Sequence, residues 1–270
     1  GVLVLGRSYS EPETPPVSSG DYTEDANCVA AYYMSGNGTD DETEPDQSGN
    51  SATLSESSGD EVEVTAAAPS GYSGSCRDFE YGHVDFLTHS DGQSTDVSGA
   101  DQSFTFAAWI RIEGYLQNKD SAIVSKWHSS DYQYMVNLIE NDDGTSPRRI
   151  EFRLSGDGSA ATLAVGATQL SSATWYHVAC VYNDTDMRIY IDGSLDSNGA
   201  DNPKTYSSGI YDGAAHFALG CRVNTSGSDD YNYAWDGYID EVIILDRALS
   251  ATEVADLYND GIDGDSGAND

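Results

Sequence analysis

Forty-six acidic residues stand against twelve basic ones in this 270-residue chain, so carboxylates are the first chemistry to weigh. A retaining glycosidase needs two of them about 5 Å apart on one face of a strand. The segment Tyr238-Ile239-Asp240-Glu241-Val242 has two acids, but neighbours in a strand point to opposite faces. Asp78 and Glu80 are read the same way, as close neighbours without a further same-face partner. His177 is the general base by residue type, yet it sits between apolar neighbours in Trp175-Tyr176-His177-Val178-Ala179 and reads as a structural histidine. No Gly-x-Ser-x-Gly and no Cys/His pattern appears. The expectation is therefore a protein without catalytic machinery.

Binding chemistry has more to work with. Eighteen tyrosines and four tryptophans include Trp127, Tyr132, Tyr231, Tyr233 and Trp235, all near polar loops. Aromatic rings stack on sugar faces while Asp and Asn fix hydroxyls, so these five are the glycan-contact candidates. Asn37-Gly38-Thr39, Asn183-Asp184-Thr185 and Asn224-Thr225-Ser226 are glycosylation sequons and agree with export. The net charge of -34 excludes nucleic acid as a partner, because phosphate is repelled. It fits a screened, salty medium, and it also fits carboxylates gathered around a hard cation, Ca²⁺ above all. Four cysteines, Cys28, Cys76, Cys180 and Cys221, have no metal-site spacing. An even count in a Gly/Ser/Thr/Asp-rich β protein points to two disulfides and an oxidising compartment, with three pairings open and buried thiols as the other reading.

The elements that must hold these residues are strands. In Thr174 to Gly193, Trp175, His177, Ala179 and Val181 fall on one face and Tyr176, Val178, Cys180 and Tyr182 on the other. Both faces are largely apolar, as between packed layers. Asn183 to Asp186 is turn-prone, and Met187, Ile189 and Ile191 alternate with Arg188, Tyr190 and Asp192 up to Gly193. Phe104, Phe106, Ala108, Ile110 and Ile112 share a face opposite Trp109. Further strands are expected at Val29–Met34, Glu61–Ala68, Arg77–Leu87, Ala122–Trp127, Tyr132–Glu140, Arg148–Leu154, Ala161–Val165, Ala215–Val223 and Trp235–Leu245. Within Arg77–Leu87, Phe79 and Tyr81 are set inward. Ser250-Ala251-Thr252-Glu253 is a capping box opening a short helix. Many short strands with regular turns and one helix predict an all-β, antiparallel two-sheet sandwich.

Four segments carry a resemblance. Trp175, His177, Val178, Ala179 and Tyr182, followed by Tyr190-Ile191-Asp192-Gly193, resemble the laminin-G-like jelly-roll family of the concanavalin A-like lectin/glucanase group. Phe104 to Ile112 is similar to its signature strand, Asp46-Gln47-Ser48-Gly49-Asn50 to its early turn, and Gly237 to Leu249 to its closing strand. The resemblance covers about residues 27 to 260 and implies a jelly-roll sandwich. It implies nothing definite about activity, since the fold serves lectins, adhesins, enzymes and structural modules. The alternating acidic run of the related glucanases is not found here. By position the resemblance implies one structural Ca²⁺ held by Asp46, Asp240 and Glu80, and the pairings Cys28–Cys76 and Cys180–Cys221.

Three regions follow: 1–26, an apolar segment and a Pro/Ser/Glu-rich tether; 27–260, the sandwich; and 261–270, an acidic Gly-rich tail. Val2, Leu3, Val4 and Leu5 form an isolated β-prone segment suited to adding a strand to a neighbouring subunit. No apolar run is long enough to span a bilayer, and the chain starts at Gly1, which reads as a leader removed. The first expectation is thus a secreted or cell-surface structural module joined to copies of itself through residues 2–5. The alternative is a calcium-dependent module for extracellular glycans.

Overall fold

The computed structural model describes residues 20–36, 42–56, 62–69, 74–114, 120–129, 131–139 and 148–264, except for the Tyr231 side chain. Val2 to Leu5, the Asn37 sequon and the end of the acidic tail lie outside them. Among the described residues, two antiparallel sheets of nine and eight strands face each other, as expected of the sandwich. The first is centred on Phe104–Ile112, paired on one side with Trp175–Tyr182 and on the other with Gly237–Leu245. The second runs from Thr162–Val165 through Arg149–Gly158, Asp131–Ile139 and Ser121–His128 to Phe217–Leu219, Leu87–His89, Leu54–Glu56 and Thr43–Glu44.

Alternation decides what each face meets. Phe104, Phe106, Ala108, Ile110 and Ile112 enter the inter-sheet core with Val178, Cys180, Tyr182, Phe152 and Phe217. Ala107, Ala179, Val181, Ile243 and Leu245 point outward, and the helix Ala251–Asp260 covers them with Val254 and Leu257. Its capping box is complete: Ser250 Oγ accepts from the Glu253 amide, and Glu253 accepts from the Ser250 amide. At the described ends, the Tyr22 amide donates to the Ile262 carbonyl at 2.7 Å, bringing entry and exit together. No helix among the described residues is long and apolar enough to cross a membrane.

The central hairpin forms Trp175–Tyr182 and Asp186–Ile191. Asn183 Oδ1 accepts from the amides of Thr185 and Asp186, which closes the turn. Asp192 and Gly193 both have positive φ, 48° and 73°, and turn the chain into a further short strand, Ser194–Leu195. The early turn is similarly fixed. Asp46 Oδ1 accepts from the amides of Ala31 and Ser48, and Oδ2 from the Ala52 amide and Ser48 Oγ.

Three expected strands differ, and one of them, Ala215–Val223, shortens to Phe217–Leu219. Arg77–Leu87 is not one element. Cys76–Phe79 lies in the first sheet and Leu87–His89 in the second. Asp85 Oδ2 accepts the Glu80 amide at 2.9 Å, and Val84 takes φ 61°, so the chain bends across between the layers. Phe79 enters the core, while Tyr81 and Val84 pack against a separate cluster around Phe86 and Cys221. Glu61–Ala68 shortens to Glu63–Thr65. Between the sheets, Arg77 is fully buried and bonds Glu44 at 3.1 Å and Glu56 at 3.3 Å, with the carbonyls of Val62 and Thr43 taking its other donors. One guanidinium thus ties the first sheet to the edge of the second.

The expected disulfides are absent: all four cysteines are free and buried. Cys28 pairs with Leu245, while Arg77, beside Cys76, pairs with Ile239, six positions away on the same strand (245 against 239). At about 3.3 Å per residue that is about 20 Å, far beyond the roughly 7 Å between Cα atoms that a disulfide spans. Cys180 sits in the inter-sheet core and Cys221 in the separate cluster with Phe86 and Val223. The cysteine argument for an oxidising compartment is withdrawn with them.

Candidate glycan-binding face and acidic cluster

The second sheet has an outer face as well as its core face, and aromatics gather at one end of it. Trp127, Met135 and Ala122 form a cluster distinct from the main core, with Tyr132 and Tyr233 half-buried against it. Trp127 and Tyr132 are cross-strand neighbours and stack in parallel, centroids 4.3 Å apart and planes 6° apart. The short helical turn Tyr231–Tyr233 delivers Tyr233, and the Arg222 guanidinium lies 3.8 Å from its ring centre. Arg222 also bonds Asp230. Against the cost of burial, that hydrogen bond and charge hold Asp230 below the usual carboxylate range.

A polar row continues along the same face. Strand alternation puts Phe152 and Leu154 inward and Glu151 and Arg153 outward. Arg153 bonds Glu151 and reaches Asp120 at 2.7 Å. Burial raises the Glu151 carboxyl, and Arg153 opposes the rise. Next to Trp127, fully buried Lys126 bonds Asp91 at 2.5 Å and the Gly213 carbonyl at 2.7 Å, anchoring two loops beside the patch. Rings, paired arginines and carboxylates on a rigid sheet are the inventory for orienting hydroxyl-rich ligands.

Of the glycan-contact candidates, Tyr132 and Tyr233 lie half-buried at this patch, and Trp127 is corrected: at 2% exposure it is the buried ring on which Tyr132 stacks. The Tyr231 side chain lies outside the described residues. Trp235 is corrected: at 1% exposure it belongs to the inter-sheet core, where its amide donates to the Gly220 carbonyl. Arg222 and Arg153 were missed. The alternation of Arg149, Glu151 and Arg153 was a usable signal; nothing local marks Arg222.

The implied cation ligands Asp46, Glu80 and Asp240 do not form a common group among the described residues. Both oxygens of Asp46 are engaged by amides and a hydroxyl of its own turn. Asp240 is buried beside Glu241, and burial first, then that neighbouring charge, pushes its carboxyl well up. Glu80 instead meets Asp78 and Glu113: one oxygen from each lies within 4.8 Å of the others. Asp78 and Glu80, two apart, do share a face, which corrects the sequence reading. Burial, then Glu113 and Glu80, raises Asp78 to about 6, and Tyr238 donates to Glu113 at 2.7 Å.

His177 is buried, with Nδ1 unpartnered; burial lowers its pKa to about 3. It packs against Trp109 and Tyr258 rather than lining the aromatic patch.

This arrangement defines a two-sheet, lectin-like sandwich, and the comparisons agree. A laminin-G family model, described as belonging to the concanavalin A-like lectin/glucanases superfamily, matches residues 86–255. The chain belongs to that superfamily. No curated protein matches it. Among solved structures, the chain is similar to the binding domain of Paraclostridial Mosquitocidal Protein 1, with 17% identity and a TM-score of 0.61 over 86% of this chain and 52% of that one. It is similar to domain 4 of AbnA, an extracellular arabinanase from Geobacillus stearothermophilus, in complex with arabinotriose. That match has 18% identity and a TM-score of 0.58, over 86% of this chain and 98% of that one. The botulinum neurotoxin serotype D ligand binding domain, in complex with N-acetylneuraminic acid, matches with 14% identity and a TM-score of 0.57, over 86% and 50%. The chain spans about half the length of the toxin domains. At these identities the likeness establishes the fold.

Proposed function

We propose that the chain is a non-catalytic carbohydrate-binding module acting outside the cell, and that it binds sugar on the outer face of its second sheet. The carrying observation is the Trp127–Tyr132 stack beside Tyr233 and Arg222. The arabinotriose and N-acetylneuraminic acid complexes of structurally similar domains support the ligand class. The filament role expected from Val2, Leu3, Val4 and Leu5 rests on residues outside the described ones and forms no part of this proposal. A glycan array followed by calorimetry tests it. Tyr132→Ala and Tyr233→Ala should each weaken the best hit by about tenfold, the scale of one lost ring contact. No hit, or hits indifferent to both changes, overturns the proposal.

One observation favours a second reading. Asp78, Glu80 and Glu113 gather one carboxylate oxygen each within 4.8 Å, with Asp78 raised towards neutrality, and glycoside hydrolysis works through paired carboxyl groups. Release of reducing sugar from a bound glycan, abolished by Glu80→Gln, would establish hydrolysis instead; its absence leaves the binding module.

A further inference from the structure

Asn137 is fully buried, yet it carries a polar amide on the patch side of the second sheet. Its neighbours fix that side. It stands two residues from Met135 on one strand and pairs across to Ala122 on the next, and both belong to the cluster against which Tyr132 and Tyr233 pack. On the other flank it pairs with Glu151. Neither the nitrogen nor the oxygen of its amide makes a hydrogen bond of ordinary geometry. Its nearest polar influence is on Glu151: burial raises that carboxyl, and Arg153, then Asn137, oppose the rise. Buried amides are as a rule paired, and an unmet donor and acceptor are costly. For packing alone, a leucine of similar size would serve better.

The groups around it have two anchorages. Arg153 pairs with Met135, so it stands diagonal to Asn137, within reach of a long side chain. It bonds Glu151 and, at 2.7 Å, Asp120. Against the cost of burial, Glu151, Asp120 and then Tyr233 hold it charged, so Tyr233 of the patch lies within its electrostatic reach. Glu151 and Arg153 keep 8% and 16% of their side-chain surface exposed. An amide offers a donor and an acceptor side by side. Two adjacent ring hydroxyls meet both: one accepts from Nδ2, the other donates to Oδ1, and a further hydroxyl proton suits Glu151. An acetamido group does not, because its N–H and C=O point in opposite directions. Two carboxylates share the single Arg153 guanidinium, an excess that disfavours carboxylated, sulfated and phosphorylated sugars.

We propose that Asn137, Glu151 and Arg153 set the specificity of the patch for neutral sugars that present two adjacent free hydroxyls. As the sugar stacks on Tyr132 and Tyr233, Arg153 leaves Glu151 for Asp120 alone, and the uncovered Asn137 amide bonds the diol. The proposal rests on the carbohydrate-binding reading above and adds the ligand's chemistry to it. Calorimetry with arabinotriose, cellotriose and mannotriose tests it. Asn137→Leu should weaken binding by about tenfold, the scale of one or two hydrogen bonds, and should raise the melting temperature, because an unpartnered buried amide is gone. Replacing either of two adjacent sugar hydroxyls by hydrogen should cost the wild type a similar factor and cost Asn137→Leu nothing. In the wild type itself, the Asn137 side-chain amide signals should shift in NMR as the sugar saturates the protein, a readout that needs no variant to fold. Signals unmoved at saturation, or an Asn137→Leu protein that binds as the wild type does, overturn the proposal alone if Tyr132→Ala still weakens binding. So do glycan-array hits confined to acidic or diol-free sugars. No binding of any of the three sugars overturns the proposal, and an empty array as well overturns the reading beneath it.

Discussion

Trp109 and His177 meet edge to face, ring centroids 5.4 Å apart, and Tyr258 of the terminal helix closes over both at 5.4 and 5.8 Å. The histidine of the strand signature is thus a packing residue beneath a helix, and its burial has an energetic consequence. Its pKa is lowered to about 3 from 6.5 by burial. Between these values the unfolded chain binds a proton that the folded chain refuses, so this contribution to stability is complete above pH 6.5 and is lost as pH falls towards 3. Denaturant unfolding at pH 7 and pH 4 should show a drop of a few kcal/mol in the wild type. His177→Gln should lessen that drop, whatever its effect at pH 7. An unchanged drop would show that the histidine does not titrate in this range.

Arg77 joins the layers from a fully buried position, with Glu44 at the same depth. Removing one member of such a pair strands the other charge. Arg77→Ala should cost about 3–5 kcal/mol. Arg77→Met with Glu44→Gln should recover part of that loss, because no unpaired ion remains. If the double variant is no more stable than Arg77→Ala, the network is not coupled as described.

The acidic trio on the first sheet should be mutually repulsive. Replacing exposed Glu113 by Gln, which still accepts from Tyr238, should stabilise the protein by a few tenths of a kcal/mol in chelator, about the scale of exposed ion pairs. It should also draw the Asp78 titration down from about 6 towards the usual range, readable by carboxyl NMR. A Ca²⁺ titration of both proteins adds a check on the cation expectation. A wild-type melting temperature that rises with Ca²⁺, and does so less in Glu113→Gln, would put an ion on these oxygens rather than on Asp46 and Asp240.

Four buried free cysteines predict chemistry that is easy to read. Burial is the first cause raising Cys28, Cys76 and Cys221 to about 12, so these thiols stay protonated and unreactive while the fold is intact. A thiol reagent should count four groups in denaturant and almost none in buffer. Reductant should change neither mass nor melting temperature; a mass gain on reduction would restore the bridges.

The sandwich was legible where alternation is strict. Phe104–Ile112 and the Trp175 hairpin fall on the expected residues because apolar positions two apart leave one register for the core. It failed where a side chain redirects the backbone. Asp85 caps the Glu80 amide and splits one apparent strand between two sheets, and no period of two marks that event. The same blindness affected the site. Asp46 looked like a cation ligand because carboxylates serve cations and amides equally well, and sequence does not say which will arrive. Residue type alone made Tyr132 and Tyr233 candidates and said nothing of the burial of Trp127, whereas Arg222 reaches Tyr233 through a contact that only folding creates.

The amide of Tyr22 on the carbonyl of Ile262 has a wider meaning. Where a polypeptide enters and leaves through the same doorway, the whole body behaves as a cassette. It could be spliced into a surface loop of a host protein, or given new ends by permutation, while its two layers stayed as they are. Such architecture lets one folded unit travel between larger proteins as a ready-made attachment.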